Sequence, residues 1–239
     1  MIEKPRPRNS WLTVLLIIGA ITVWGYNQFH TLTPAARESQ PAAHTDRQAP
    51  GSPLTKSESK ILAKVGGYEV YRGCTLSQAR NNDGDSFMVQ LPDGKKAEFR
   101  LYFVDTPESA FKSYPGGDNN HERIGQQAAE MGGITPQQAV EMGQKGKHFT
   151  LDLLASQPFD IYTRWDSPFN DNRFHAFVEV RQGGKSRWLD ELLVERGLAR
   201  IKTKPADLPD GTPSAKQLAH LKDLERTAKR AEAGAWGLR

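Results

Sequence analysis

The sequence predicts an α+β protein weighted toward β. Its core would be a small closed barrel of five short strands with about three helices, preceded by a transmembrane helix and a disordered linker. Three observations carry this expectation. Short apolar-rich stretches recur between Tyr68 and Val180, punctuated by Gly, Pro and Asp. Segments with apolar residues at three- and four-residue spacing lie among and after them. At the other end, no charged residue occurs from Asn9 to Phe29.

In chain order, residues 1–8 carry Lys4, Arg6 and Arg8, which should hold the amino end in the cytoplasm. The 21 uncharged residues 9–29 can cross the roughly 30 Å hydrocarbon core as a helix. Trp11, Trp24 and Tyr26 lie near its ends, where aromatic rings favour the interface. A cleaved signal peptide is the rival reading, with Thr33-Pro34-Ala35 as its cleavage site. The apolar stretch exceeds the roughly 7–15 residues of a signal core, so a retained anchor is expected. Cleavage near residue 35 would instead give a secreted protein. Residues 30–59 contain Pro34, Pro41, Pro50 and Pro53 with few large apolar groups. They cannot bury enough surface to offset chain ordering, and so form a linker.

Residues 60–239 are the folded domain. Tyr68–Arg80, Ser86–Leu91 and Lys96–Val104 are predicted strands, the last two joined by the turn Pro92-Asp93-Gly94. Thr135-Pro136 supplies an N-cap and a first-turn proline. Ala139, Met142, Gly146, Phe149 and Leu153 then mark one helical face. Asp160–Trp165 and Arg173–Val180 complete the strands. A short helix over Leu189–Arg196 ends at Gly197. A last helix begins near Ser214, with Leu218, Leu221, Leu224, Ala228 and Ala231 inward, and stops at Gly234.

Composition narrows the function classes. With 32 Lys and Arg against 28 Asp and Glu, the net charge is only +4, which excludes a polybasic nucleic-acid coat and an acidic solvating chain. The distribution says more. Residues 60–180 hold 13 basic and 16 acidic groups, a net of −3, whereas residues 181–239 hold 13 and 8, a net of +5. The one cysteine, Cys74, excludes an intramolecular disulfide framework or a Cys-rich zinc site and reads as a packing residue.

The densest polar cluster is Asp83-Gly84-Asp85-Ser86 followed by Arg100-Leu-Tyr-Phe-Val-Asp105-Thr106-Pro107-Glu108. Asp85 and Asp105 are hard oxygen donors of the kind calcium and magnesium prefer. Proline biases Thr106 toward an extended conformation, from which its carbonyl could turn to a metal. Spacing alone leaves equally open a solvated strand end with pairing among Asp85, Arg100 and Glu108.

Residues 83–108 resemble the staphylococcal-nuclease-like (thermonuclease) family, whose pattern is DGDT followed by R-L-x-x-V-D-T-P-E. Leu192-Leu193-Val194-Glu195-Arg196-Gly197-Leu198-Ala199 is similar to its L-V-x-x-G-L-A segment, and Ala231–Gly237 to its last helix closing on a tryptophan, here Trp236. The resemblance covers about residues 65–239. It implies a five-stranded OB-fold barrel and a calcium-dependent phosphodiesterase that cuts DNA and RNA with little sequence preference. It makes Asp85, Asp105 and the Thr106 carbonyl Ca2+ ligands, Glu108 the general base, Arg100 and Arg173 the phosphate-binding arginines, and Asp83 a group just behind the metal. The 5′-oxygen would leave and the products would carry 3′-phosphates. Arginine holds its proton too tightly to be an easy acid, so the donor to the leaving oxygen stays open.

Two departures bear on the transfer. Ser109–Thr135 is an insertion, expected to form a loop and short helix near the site. Asn170-Asp171-Asn172-Arg173 stands where the family has Tyr-Gly-Arg, so the tyrosine that helps hold the nucleotide is missing. Arg164 is the alternative second arginine. His121-Glu122 lacks a second histidine four residues on, and Asp93-Gly94-Lys95 reads as a hairpin turn. His148, His175 and His220 show no metal-ligand spacing, and Lys216–Arg230 reads mainly as the solvated face of the last helix.

The sequence therefore points to a membrane-anchored nuclease acting on DNA or RNA, with its domain outside the cytoplasm. Three protein ligands should bind calcium only at about 10⁻⁴–10⁻³ M, a concentration met outside the cytoplasm. A tethered non-catalytic module that binds nucleic acid or protein is the alternative.

Overall fold

Strand pairing closes a barrel. β2 (Tyr68–Leu76) pairs with β3 (Ser86–Gln90), and β3 with β4 (Lys96–Leu101). β4 runs parallel to β7 (Arg173–Gln182), which pairs with β6 (Phe159–Thr163), and β6 returns to β2. The result is a closed, OB-like five-stranded barrel in an α+β protein. The computed structural model describes residues 61–167 and 172–238, all within one compact unit. The segments expected over 1–8, 9–29 and 30–59 lie outside the described residues. Among those described, no helix is long and apolar enough to cross a membrane.

Alternation builds the interior. Phe87 and Val89 on β3 face inward with Phe99 and Leu101 on β4, and all four are buried. Phe159, Ile161, Val178 and Val180 fill the opposite wall. Burying each such side chain stabilises the fold by about 1.5–3 kcal/mol. Cys74 is buried in this core, its Sγ 3.3 Å from the Tyr71 carbonyl, and burial pushes its thiol up to about 12. It is a packing residue.

Two hairpins extend the barrel beyond the five expected strands. β1 (Ile61–Val65) folds onto β2 through Gly66-Gly67, and β8 (Lys185–Trp188) onto β7 through Gly183-Gly184. The expected strand Lys96–Val104 is broken. Phe103, buried and held at φ 65°, redirects the chain out of β4, and β5 (Val104–Asp105) pairs instead with β9 (Arg200–Ile201).

Among the described residues there are four α-helices rather than about three: α1 (His121–Glu130), α2 (Pro136–Ser156), α3 (Leu189–Glu195) and α4 (Ser214–Arg230). A short 3₁₀ turn over Gly234–Gly237 follows them. α2 starts with the expected cap. The Gln138 N–H donates to Thr135 Oγ1 at 3.2 Å, and the Thr135 N–H to Gln138 Oε1 at 2.8 Å. Of its expected face, Ala139, Met142 and Gly146 are buried, while Phe149 and Leu153 are only partly covered. Ala231 is exposed rather than inward, because α4 ends at Arg230. Ile124, Ala128 and Met131 from α1 and its end form a small core with Ile134, Ala139, Val140 and Met142. That core fixes the insertion against α2.

Candidate active site

The site lies at one rim of the barrel. Asp85 immediately precedes β3, and its carbonyl accepts the Leu101 N–H at 2.9 Å. Ser86 pairs with Arg100 across the β3–β4 ladder, so the Asp-Gly-Asp turn and Arg100 meet by register. The break at Phe103 turns Asp105 toward the same point, and β5–β9 pairing sets Arg200 directly opposite it. Close packing holds the remainder. A Cβ on Gly84 would stand 2.8 Å from Thr106 Cγ2. One on Gly143 of α2 would stand 2.4 Å from the Glu108 carbonyl oxygen. Both positions need glycine because backbone or buried side chain occupies the space.

Asp105 is the hub. Its Oδ1 accepts from Arg100 Nη2 at 2.6 Å and from Arg123 Nη2 at 3.3 Å. Its Oδ2 accepts from Arg200 Nη2 at 2.6 Å, Arg200 Nε at 2.8 Å and Gln127 Nε2 at 3.2 Å. An ionised carboxylate offers about four acceptor positions, so Asp105 is filled. Asp85 is less well served. Arg100 Nη2 reaches its Oδ2 at 3.1 Å, and Ser86 Oγ lies 3.4 Å from its Oδ1. Burial holds the Asp85 carboxyl well above the usual range; Arg100 opposes this, while Asp105 and Asp83 add to it. Burial raises Asp83 as well.

Glu108 is held from both sides. Oε1 sits 3.2 Å from Arg123 Nε, and Oε2 lies 3.4 Å from Asn120 Nδ2 and 3.5 Å from Lys112 Nζ. Buried Gln127 accepts the Glu108 N–H at 3.0 Å and so ties this residue to Asp105 through one amide. On the far side, Glu130 pairs with Arg200 and with Lys202 at 2.7 Å, and those contacts, led by Lys202, hold its carboxyl below the ordinary range.

A cavity of about 1060 Å³ opens over these groups. Arg100, Asp105, Glu108, Arg173 and Asp83 line it; buried Asp85 and Thr106 sit behind its wall. All seven residues expected at the site are thus gathered at one rim. Arg164 is elsewhere: its guanidinium lies 4.0 Å above the Tyr68 ring and bonds the Gly66 carbonyl at 3.2 Å. The sequence reading missed Arg123, Gln127 and Arg200. Arg123 and Gln127 come from the insertion, and Arg200 joins through a two-residue strand. The signal available for Arg200 was a lone guanidinium between apolar Ala199 and Ile201.

Of the remaining candidates in the sequence, all but His175 lie away from this chemistry. Lys95 folds back on Asp93 at 3.4 Å within the β3–β4 turn. His148 is exposed, and His220 sits 3.5 Å from Glu191. His175 lines the cavity but is buried and stacked on Tyr102 at 5.0 Å; burial lowers its basicity.

The donor set fits a hard divalent cation. Asp85 and Asp105 converge on one nitrogen of Arg100, so a cation of oxygen-binding character could replace that guanidinium between them. The buried Thr106 Oγ1 has no hydrogen-bond partner beside them. Together these groups define a cationic cavity with buried carboxylates behind it. No family model matches the chain, and a search of curated proteins finds no match.

Proposed function

We propose that residues 60–239 form a calcium-dependent phosphodiesterase that hydrolyses DNA or RNA with little sequence preference. Residues 9–29 would anchor the chain in a membrane, with the catalytic domain on the extracytoplasmic side. The observation that carries this reading is the convergence of Arg100, Arg173, Asp105 and Glu108 on one cavity, with Asp85 directly behind.

A phosphodiester repels nucleophiles, and attack adds charge to its non-bridging oxygens. Arg100 and Arg173 meet that charge with paired N–H donors. Calcium, held by Asp85, Asp105 and the Thr106 carbonyl, would add positive charge beside the same oxygens. Glu108 takes a proton from the attacking water, a role worth typically about 10²–10⁴-fold. Asn120 and Arg123 orient that carboxylate, and the Gln127 amide holds the Glu108 backbone N–H. The 5′-oxygen leaves, taking a proton from solvent because neither arginine releases one, and a 3′-phosphate results.

Replacing Glu108 by Gln keeps the shape and the amide contacts but removes the base. Cleavage should fall by about 10²–10⁴-fold while calcium affinity, measured by calorimetry, stays within a few-fold. An unchanged rate would remove Glu108 from the role. One observation favours a non-catalytic module: Asp105 is already filled by three guanidinium groups and Gln127. Tight oligonucleotide binding without cleavage in calcium would be its signature.

A further inference from the structure

The segment between Glu108 and α1 leaves two large rings in solvent, Phe111 at 42% and Tyr114 at 47% exposure. The segment is ordered by its own hydrogen bonds. Lys112 N–H donates to Asn120 Oδ1 at 2.7 Å, and Asn120 N–H to the Lys112 carbonyl at 3.1 Å. Ser113 bridges Asn119, and the Tyr114 N–H donates to the Asp118 carbonyl at 2.7 Å. Residues 112–120 are therefore a small hairpin that turns through Pro115-Gly116-Gly117. Asn120, buried at its base, also touches Glu108.

Side chains alternate along an extended strand, so Lys112 and Tyr114 share a side, about 7 Å apart. Lys112 lines the cavity, with its Nζ 3.5 Å from Glu108. Tyr114 is thus the next group outward from the cavity along this strand. Phe111 points to the other side, where it packs edge-on against His121 at 5.1 Å. Among the described residues, the cavity lining contains no Phe, Tyr or Trp, while Lys112, Arg123 and Lys202 supply cations around it. A phosphate would find its partners inside, and among the described residues Tyr114 offers a neighbouring base an exposed flat face on the side of Lys112.

We propose that Tyr114 is a stacking platform for an unpaired nucleobase flanking the phosphate held in the cavity, which makes single-stranded nucleic acid the preferred ligand. The inference rests on the phosphodiesterase reading for the position of that phosphate, but the stacking does not depend on cleavage. Every base has a π-face, so such a platform tolerates any sequence. A duplex keeps its bases paired and stacked, and cannot offer one to Tyr114 without opening.

The test compares the full-length chain with its Tyr114→Ala and Tyr114→Phe variants. The probes are a labelled single-stranded oligothymidylate, the same strand with abasic sites, and a duplex, all in calcium. Binding is read by fluorescence anisotropy and cleavage by product analysis in the same samples. Tyr114→Ala should weaken binding of the oligothymidylate by about 5- to 150-fold. Tyr114→Phe should match the parent within about twofold, and the abasic strand and the duplex should not distinguish any of the three. Equal affinity of the parent and Tyr114→Ala for the oligothymidylate overturns the platform, as does an equal loss on the abasic strand. Cleavage that persists with no effect of Tyr114 leaves the phosphodiesterase reading standing alone. Tyr114-dependent binding without any cleavage leaves the platform and removes that reading.

Discussion

Two aspartates are equally buried and differently treated. Asp105, at 3% exposure, receives Arg100, Arg123, Arg200 and Gln127. Asp190, at 2% exposure in the first turn of α3, has an Oδ2 with no hydrogen-bond partner. Burial, with the neighbouring Glu191 charge, pushes the Asp190 carboxyl up to about 7. The partial positive charge at a helix start favours an anion there, but α3 has only seven residues and does not offset the burial. At the barrel rim, guanidinium groups meet the carboxylate of Asp105. At the start of α3, the effect of burial on Asp190 is left less opposed.

The largest contrast should come from removing each charge in turn. Asp105→Asn leaves the nearly buried Arg100 and Arg200 short of a counter-charge. It should lower unfolding free energy by about 3 kcal/mol in urea titrations at neutral pH. Asp190→Asn should do the reverse. The folded carboxyl titrates near 7 and the unfolded one near 3.8. Below about pH 4 both states hold the proton and nothing is lost. As pH rises from about 4 to 7 the unfolded chain ionises while the folded one keeps its proton, so stability falls; above 7 the loss is complete. The Asn variant should therefore gain on the order of 2–4 kcal/mol at pH 8, and no gain at pH 3.5. Equal stability of parent and variant at pH 8 would mean that Asp190 finds a partner in solution.

A smaller effect tests how the rim is held. Alanine usually stabilises a helix relative to glycine by about 1 kcal/mol. At Gly143 a Cβ would meet the Glu108 and Pro107 carbonyl oxygens at 2.4 and 2.5 Å. Gly143→Ala should therefore cost about 1–3 kcal/mol and displace Glu108. A stabilised variant would show that α2 does not press on the site.

What the sequence revealed follows the range of the interactions. The β3–β4 hairpin was legible because Pro92-Asp93-Gly94 is a local signal, and α2 because Thr135 and Gln138 cap within one turn. The Asp85–Arg100 meeting follows from hairpin register, so a motif on two adjoining strands located most of the site. Phe103 was hidden, because a positive φ at a bulky residue has no local cue and is imposed by contacts with Lys202 and Lys204. Arg200 was hidden with it, since it reaches Asp105 only through the strand that this break creates. Gly66-Gly67 and Gly183-Gly184 did mark the two missed hairpins, whose strands are too short to show periodicity.

The central claim is that this rim binds calcium and cuts phosphodiesters. Digestion of single-stranded DNA by the full-length chain, in calcium and then after chelation, tests it most directly. Cleavage in calcium that stops on chelation and returns when calcium is restored is the predicted result. Equal cleavage in both conditions, or none in either, would contradict it.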